Sequence, residues 1–240
     1  MPSARSSMRP AARPEPILAD LKVGGFTPLT SIDFPGRLAA VVFCQGCPWR
    51  CDYCHNPHLI PVGSPSARAW EDVLVFLARR RGLLDGVVFS GGEPTLQAAL
   101  PAAMRDVRQL GFEVALHTAG MYPDRLEAAL PWVDWVGFDI KAPAHRYDHV
   151  TGTPGSATRV MDSLERLVAS GVAYECRTTW DPELFDEAEL MALLHTLAEK
   201  GVQRWSLQVC NRAGMPVPHP AGIADRIAAA CPRIAVRMQA

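Results

Sequence analysis

Long apolar runs are missing from this 240-residue chain, and no stretch approaches the length of a bilayer-spanning helix. Charge bias is missing too. Lysine and arginine number 24 against 25 acidic residues, a formal net charge of -1, so nothing draws the protein as a whole towards nucleic acid or an anionic membrane. There is no internal repeat, no low-complexity linker in the body and no composition shift to mark a second domain. We therefore expect residues 21–240 to form a single domain. Residues 1–20 are rich in Pro, Arg, Ala and Ser and lack hydrophobic periodicity, which predicts a disordered tail. Such a start can imitate a transit peptide, but it lacks an aliphatic helical face.

Cysteines are few, but three of the seven fall within eight residues, Cys47-Pro-Trp-Arg-Cys51-Asp-Tyr-Cys54, with Cys44 three positions upstream. The odd total and the absence of a leader-like apolar segment argue against a disulfide framework and for a reducing cytoplasm. Convergent thiolates favour iron–sulfur clusters or zinc over hard cations. Structural zinc usually takes two ligand pairs separated by a dozen or more residues. Ferredoxin runs read C-x2-C-x2-C-x3-C-P, whereas this chain reads C-x2-C-x3-C-x2-C and has no second cluster. The spacing favours a [4Fe-4S] cluster held by Cys47, Cys51 and Cys54, with one iron open to a small molecule. Zinc, electron transfer with Cys44 as a fourth ligand, and disulfides are the rival readings.

Short apolar strands alternate with amphipathic stretches. The strands are expected at Ala39–Phe43, Gly86–Phe89, Glu113–Leu116, Trp135–Ile140, Val172–Thr178, Trp205–Val209 and Ile234–Arg237, with Lys22–Phe26 as a hairpin edge. The helices are expected at Trp70–Arg81, Leu96–Leu110, Pro123–Ala129, Ala157–Ser170, Asp186–Lys200 and Ala221–Ala230. This alternation predicts βαβ units and a mainly parallel sheet. Four successive strands end in polar or glycine-rich signatures: the cysteine loop, Ser90-Gly91-Gly92-Glu93-Pro94, His117-Thr118-Ala119-Gly120 and Asp139-Ile140-Lys141. Ligand sites of parallel α/β folds gather at the C-terminal strand ends, which predicts one shared pocket.

With these residues in view, the chain resembles the radical S-adenosylmethionine superfamily, in which C-x3-C-x2-C carries an aromatic before its last cysteine, here Tyr53. The string Gln45–Pro57 and the upstream Ser31-Ile32-Asp33-Phe34-Pro35-Gly36 look like activating proteins of glycyl-radical enzymes. Gly137–Pro143 (GFDIKAP) and Val150–Gly152 look most like activators of anaerobic ribonucleoside-triphosphate reductase. The similarity runs from about Val23 to about Val209.

The resemblance implies a partial (β/α)6 TIM-like barrel and two cofactors, a [4Fe-4S] cluster and S-adenosyl-L-methionine. It implies reductive cleavage of S-adenosylmethionine to a 5′-deoxyadenosyl radical, with a low-potential reductant such as flavodoxin or ferredoxin. The radical would take hydrogen from a glycine of the partner. Its implied cofactor-binding residues are Tyr53, Gly91, Gly92, Glu93, Thr118, Asp139, Lys141 and Arg177. Glu93 or nearby carbonyls would receive the cofactor's ammonium, and Lys141 its carboxylate. Bland readings stand beside these: a strand-to-helix turn for GGEP, a solvated strand end for Lys141, backbone satisfaction for Asp139. Pyruvate formate-lyase activators carry an acidic residue where this chain has His117, so a monovalent-cation site is in question. Cys44, Cys176, Cys210 and Cys231 read as packed thiols. Alternative functions are activation of pyruvate formate-lyase, a small synthase of the 7-carboxy-7-deazaguanine type, and a non-enzymatic electron carrier.

Overall fold

The structure, a computed structural model, describes residues 21–212 and 214–238. The tail expected over 1–20 lies outside them. The chain opens with an antiparallel hairpin, β1 (Val23–Thr30) and β2 (Ala39–Cys44). It continues with α1 (Trp70–Ala78), β3 (Gly86–Gly91), α2 (Leu100–Gln109), β4 (Glu113–Thr118), α3 (Pro123–Ala129) and β5 (Trp135–Asp139). Two helices follow, α4 (Ala144–Thr151) and α5 (Ser156–Ser170), then β6 (Ala173–Trp180), α6 (Glu187–Glu199) and β7 (Arg204–Val209). A small hairpin of β8 (Asn211–Arg212) and β9 (Met215–Pro216) precedes α7 (Ile223–Ala230) and β10 (Ala235–Met238).

Eight strands form one sheet in the order β1-β2-β3-β4-β5-β6-β7-β10. β1 is antiparallel, and every later neighbour pair is parallel. This is the partial TIM-like barrel with one strand more than the expected six, because β10 adds itself in parallel to the outer side of β7. The two edges, β1 and β10, are not hydrogen-bonded to each other.

The parallel strands lack polar alternation because both of their faces are covered. Ala40, Val42, Val87, Phe89, Val114 and Leu116 belong to the large core shared with the helices. Ala39, Val41, Val88 and Ala115 point the other way and meet Phe34 and Trp135 in a separate small core. Phe34 thus plugs the barrel at the N-terminal ends of its strands, and the SIDFPG segment forms its floor.

Three elements depart from the periodicity. The helix expected from Leu96 begins at Leu100, because Pro94–Leu96 is a 3-10 turn and Gln97 has an extended backbone. The first strand runs on to Thr30, carrying Pro28 on an edge where a missing N–H is tolerated. α4 was not legible in the sequence; it is short and only Tyr147, Val150 and Thr151 are buried, too little to set up a helical stripe.

Candidate functional site

The cysteine loop leaves the top of β2 and is bolted at its base to the glycine turn that ends β3. Gly92 N donates to Cys44 O at 3.0 Å and Glu93 N to Gly46 O at 2.8 Å. Gly46 N and Cys47 N donate to Leu59 O and Ile60 O at 2.7 and 3.1 Å, closing the loop on its own far end. Gly91 has φ +119°, and a Cβ there would lie 2.4 Å from Cys44 N. A Cβ on Gly92 would lie 2.2 Å from Gly46 O. Both positions require glycine because backbone meets backbone there.

Above this joint a cavity of about 260 Å³ opens at the C-terminal strand ends. Cys47, Cys51, Tyr53, Cys54, Gly91, Gly92, Glu93, Thr118, Asp139, Lys141 and Arg177 all line it. Every cluster and cofactor residue implied by the resemblance therefore lines one chamber. Cys44 does not; it is fully buried, as a packed thiol. Burial pushes the Cys47 thiol up to about 12 and raises Cys51 as well. Among the described residues no three His, Cys, Asp or Glu side chains gather about a single ion-sized point.

Glu93 is only 1% exposed and its carboxylate is already engaged. Oε1 accepts from Thr95 N, Thr95 Oγ1 and Thr118 Oγ1 at 3.0, 2.6 and 2.6 Å, and Oε2 accepts from Ala119 N at 2.9 Å. Burial raises its pKa, and these four donors oppose the rise. Glu93 thus ties the end of β3 to the end of β4. The expectation that it receives an ammonium must be narrowed: Oε2 accepts one of these bonds and Oε1 three.

Across the cavity, Asp139 Oδ1 accepts from Arg177 Nε at 2.8 Å, and Oδ2 accepts from Lys141 Nζ at 2.9 Å. Burial opposes ionisation of Asp139, but the two cations outweigh it and hold the carboxyl well below its ordinary range. Lys141 stays protonated because Asp139 more than offsets its desolvation. The triad carries one net positive charge inside the cavity. The strand-end lysine is therefore paired, contrary to the solvated reading.

Tyr53, 6% exposed, donates its hydroxyl to Lys141 O at 3.3 Å, while Lys141 N donates to Tyr147 Oη at 3.0 Å. These bonds join the cysteine loop to β5 and α4. The VTG segment does the same from outside, since Arg50 N donates to Thr151 O at 3.0 Å.

Asp33, Thr179 and Gln208 also line the cavity and were not named as site residues from the sequence. Thr179 and Gln208 end β6 and β7, so the strand-end rule reaches them; Asp33 belongs to the floor segment, which only the fold brings inside. His117 Nε2 meets Asp33 O at 2.8 Å. Burial, then Arg177, lowers the His117 pKa to about 3, so the ring is neutral and Nε2–H donates to that carbonyl.

A TIM-like partial barrel with a thiol-bearing loop after its first parallel strand belongs to the α/β class whose ligand sites lie at the C-terminal ends of the strands. The chain belongs to the Radical SAM superfamily, whose profile matches residues 41–181. It is an enzyme of that class, and its cofactors are a [4Fe-4S] cluster and S-adenosylmethionine. The pyruvate formate-lyase-activating enzyme of Streptococcus mutans is 34% identical over 211 residues, covering 79% of this chain and 80% of that one. A candidate glycyl-radical enzyme activating enzyme of Methanocaldococcus jannaschii is 28% identical over 187 residues, covering 74% and 75%. In fold, QueE from Escherichia coli superposes with a TM-score of 0.60 at 20% identity over 91% of this chain and 93% of that one.

The residues fit these cofactors. Soft thiolates suit an iron–sulfur cluster, and the Gly91–Gly92 turn that packs against the base of the cysteine loop also lines the cavity. The Lys141–Asp139–Arg177 triad offers a net cation to a carboxylate.

Proposed function

We propose that this enzyme activates a partner by removing hydrogen from one of its glycines, and that the partner is an anaerobic ribonucleoside-triphosphate reductase. One observation carries the reading: all three loop cysteines, the glycine wall and the charged triad line one cavity, in a chain homologous to glycyl-radical enzyme activating enzymes. Residues 21–240 are read as one radical SAM domain in the cytoplasm. No described helix is long and apolar enough to cross a membrane.

In this reading Cys47, Cys51 and Cys54 hold the cluster. Lys141 and Arg177 seat the cofactor carboxylate, and Asp139 keeps both cations in place and charged. The carbonyls and edges of the Gly91–Gly92 turn face the ammonium, and Glu93 holds that turn against Thr118 and Ala119. Tyr53 packs over the same space and fixes the loop to Lys141. When bound, the two cofactors supply reductive cleavage of the sulfonium and hydrogen abstraction. The chain's own part is to orient the cofactors and to shield the cavity from water. The electron comes from a low-potential carrier such as flavodoxin or ferredoxin.

GFDIKAP and VTG support the reductase as partner. A second reading, a formate-lyase-type partner, is favoured by the 34% identity to the Streptococcus mutans enzyme. Reduced protein, S-adenosylmethionine and the cognate reductase should give a glycyl-radical doublet in electron paramagnetic resonance. Deuterium at that glycine should appear in released 5′-deoxyadenosine. A doublet only with a formate-lyase-type enzyme rejects the reductase, and hydrogen taken only from a small molecule rejects activation altogether.

A further inference from the structure

The outer flank of the cysteine loop carries an aromatic ring framed by arginines that the chemistry inside the cavity does not use. Tyr122, between β4 and α3, is partly buried, and the Arg125 guanidinium lies 4.8 Å from its ring centroid. The phenol is within electrostatic reach of Arg125, Glu93, Cys47 and Arg159. Arg50, on the loop itself, donates from Nη1 to Cys47 O and to Trp49 O, both at 3.0 Å. All three arginines are exposed.

Their partners inside the protein differ. Arg125 donates to Thr95 O at 3.2 Å and to Leu96 O, so it also pins the turn behind Glu93. Arg159 lies in the first turn of α5, and its side chain makes no hydrogen bond or ion pair with any described residue. The carboxylates of these helices are engaged elsewhere. Arg166, two turns further along α5, holds Asp124, Glu127 and Asp162. Lys200 holds Glu165. Asp148 caps α5 by accepting from Gly155 N and Ser156 N. The end of the face nearest Cys47 therefore carries three exposed arginines against one exposed loop carboxylate, Asp52, and is cationic on balance, whereas the end away from it is not.

Arginine and tyrosine are the residue types enriched in protein interfaces, and a cationic field speeds encounter with an acidic partner. Electron transfer weakens steeply with distance, so a donor must dock close to the thiolates it serves. From this placement we infer that Arg50, Tyr122, Arg125 and Arg159 form the docking face for an acidic one-electron carrier protein. The inference rests on the proposed reading only in taking Cys47 as a cluster ligand. A reduced flavin or iron–sulfur carrier loses one electron here, and the cluster gains it.

The test uses reduced flavodoxin, an acidic flavin protein, as the probe. Bleaching of the cluster is followed in wild type, in Arg159→Glu and in the Arg50→Glu/Arg159→Glu pair, after matching their iron content. Reduction should slow about tenfold in the pair at low salt, less in the single variant, and the differences should vanish at high salt. Dithionite, which needs no docking, should reduce all three at one rate. Binding of oxidised flavodoxin to iron-free protein should weaken in the same order. Arg79→Glu, at the far end of α1, controls for net charge and should change nothing. Equal flavodoxin rates in wild type and the pair, or an equal loss in Arg79→Glu, overturns the inference. So does unchanged reduction accompanied by lost binding of the glycyl-radical partner, which would assign the face to that enzyme. A protein reduced through this face that installs no glycyl radical leaves the inference standing and rejects the proposed function.

Discussion

Asp139 and Arg177 are register partners on neighbouring strands, and their side chains close the same step of the ladder, with Arg177 Nη2 2.7 Å from Asp139 Oδ1. The carboxylate holds two cations in a largely buried site, so removing its charge leaves Lys141 and Arg177 facing each other. Asp139→Asn should lower unfolding stability by about 3 kcal/mol, measured by urea denaturation. S-adenosylmethionine brings an anion of its own, so it should raise the melting temperature of the variant more than that of wild type. An unchanged melting temperature in both proteins would rule out this pair of cations as the carboxylate seat, and a smaller rise in the variant would show that Asp139 must hold them in place.

The cluster assignment has a direct check. Cys47→Ala, Cys51→Ala and Cys54→Ala should each fail to retain the about four irons of a [4Fe-4S] cluster after anaerobic reconstitution. Cys44→Ala should retain them, because that thiol is sealed behind the loop. Iron analysis and the visible absorption band decide it. Loss in Cys44→Ala with retention in Cys47→Ala would reverse the ligand set.

Gly92→Ala tests the joint beneath the loop. The new methyl would meet two carbonyl oxygens, Gly46 O at 2.2 Å and Leu59 O at 3.2 Å, and neither is the end of a flexible side chain. Destabilisation of about 3 kcal/mol or more is expected, with loss of iron. Gly63→Ala, where no atom lies within 4 Å, should be neutral in the same assays. Full iron loading in Gly92→Ala would show that the loop does not need this contact.

His117 sets a pH dependence. Its folded-state pKa is pushed from 6.5 down to about 3, so the folded ring stays neutral where the unfolded ring takes up a proton. Its contribution is complete above pH 6.5 and is lost as pH falls through that value towards 3. Between pH 7.5 and 5 the loss should be about 2 kcal/mol. His117→Gln should flatten the urea-measured profile over this window by that amount. Identical slopes in wild type and variant would place the ring in water.

The order of elements and their placement of motifs at strand ends were legible because parallel strands are apolar runs and the intervening helices carry stripes. That Cys47, Cys51 and Cys54 would meet in one cavity was legible from their spacing on a single loop. Tertiary roles were not. Nothing in GGEP states that Glu93 spends its oxygens on Thr95, Thr118 and Ala119, since Thr118 ends the next strand and Ala119 follows it. Asp33 reaches the cavity only because the hairpin turn folds under the barrel. Thr179 and Gln208 sit on strands whose ends carry no glycine or charge signature to draw attention. α4 escaped because most of its surface faces solvent.

β1 and β10, the two ends of the sheet, are not hydrogen-bonded to each other, so its ring of strands is not closed. A closed ring of strands admits only what passes through its ends. An open ribbon is a slot, and a strand of material held at both ends can be laid into it sideways and lifted out again. For the proposed activation, an opening of this kind would let a residue in the middle of a long chain reach the interior without any terminus being threaded.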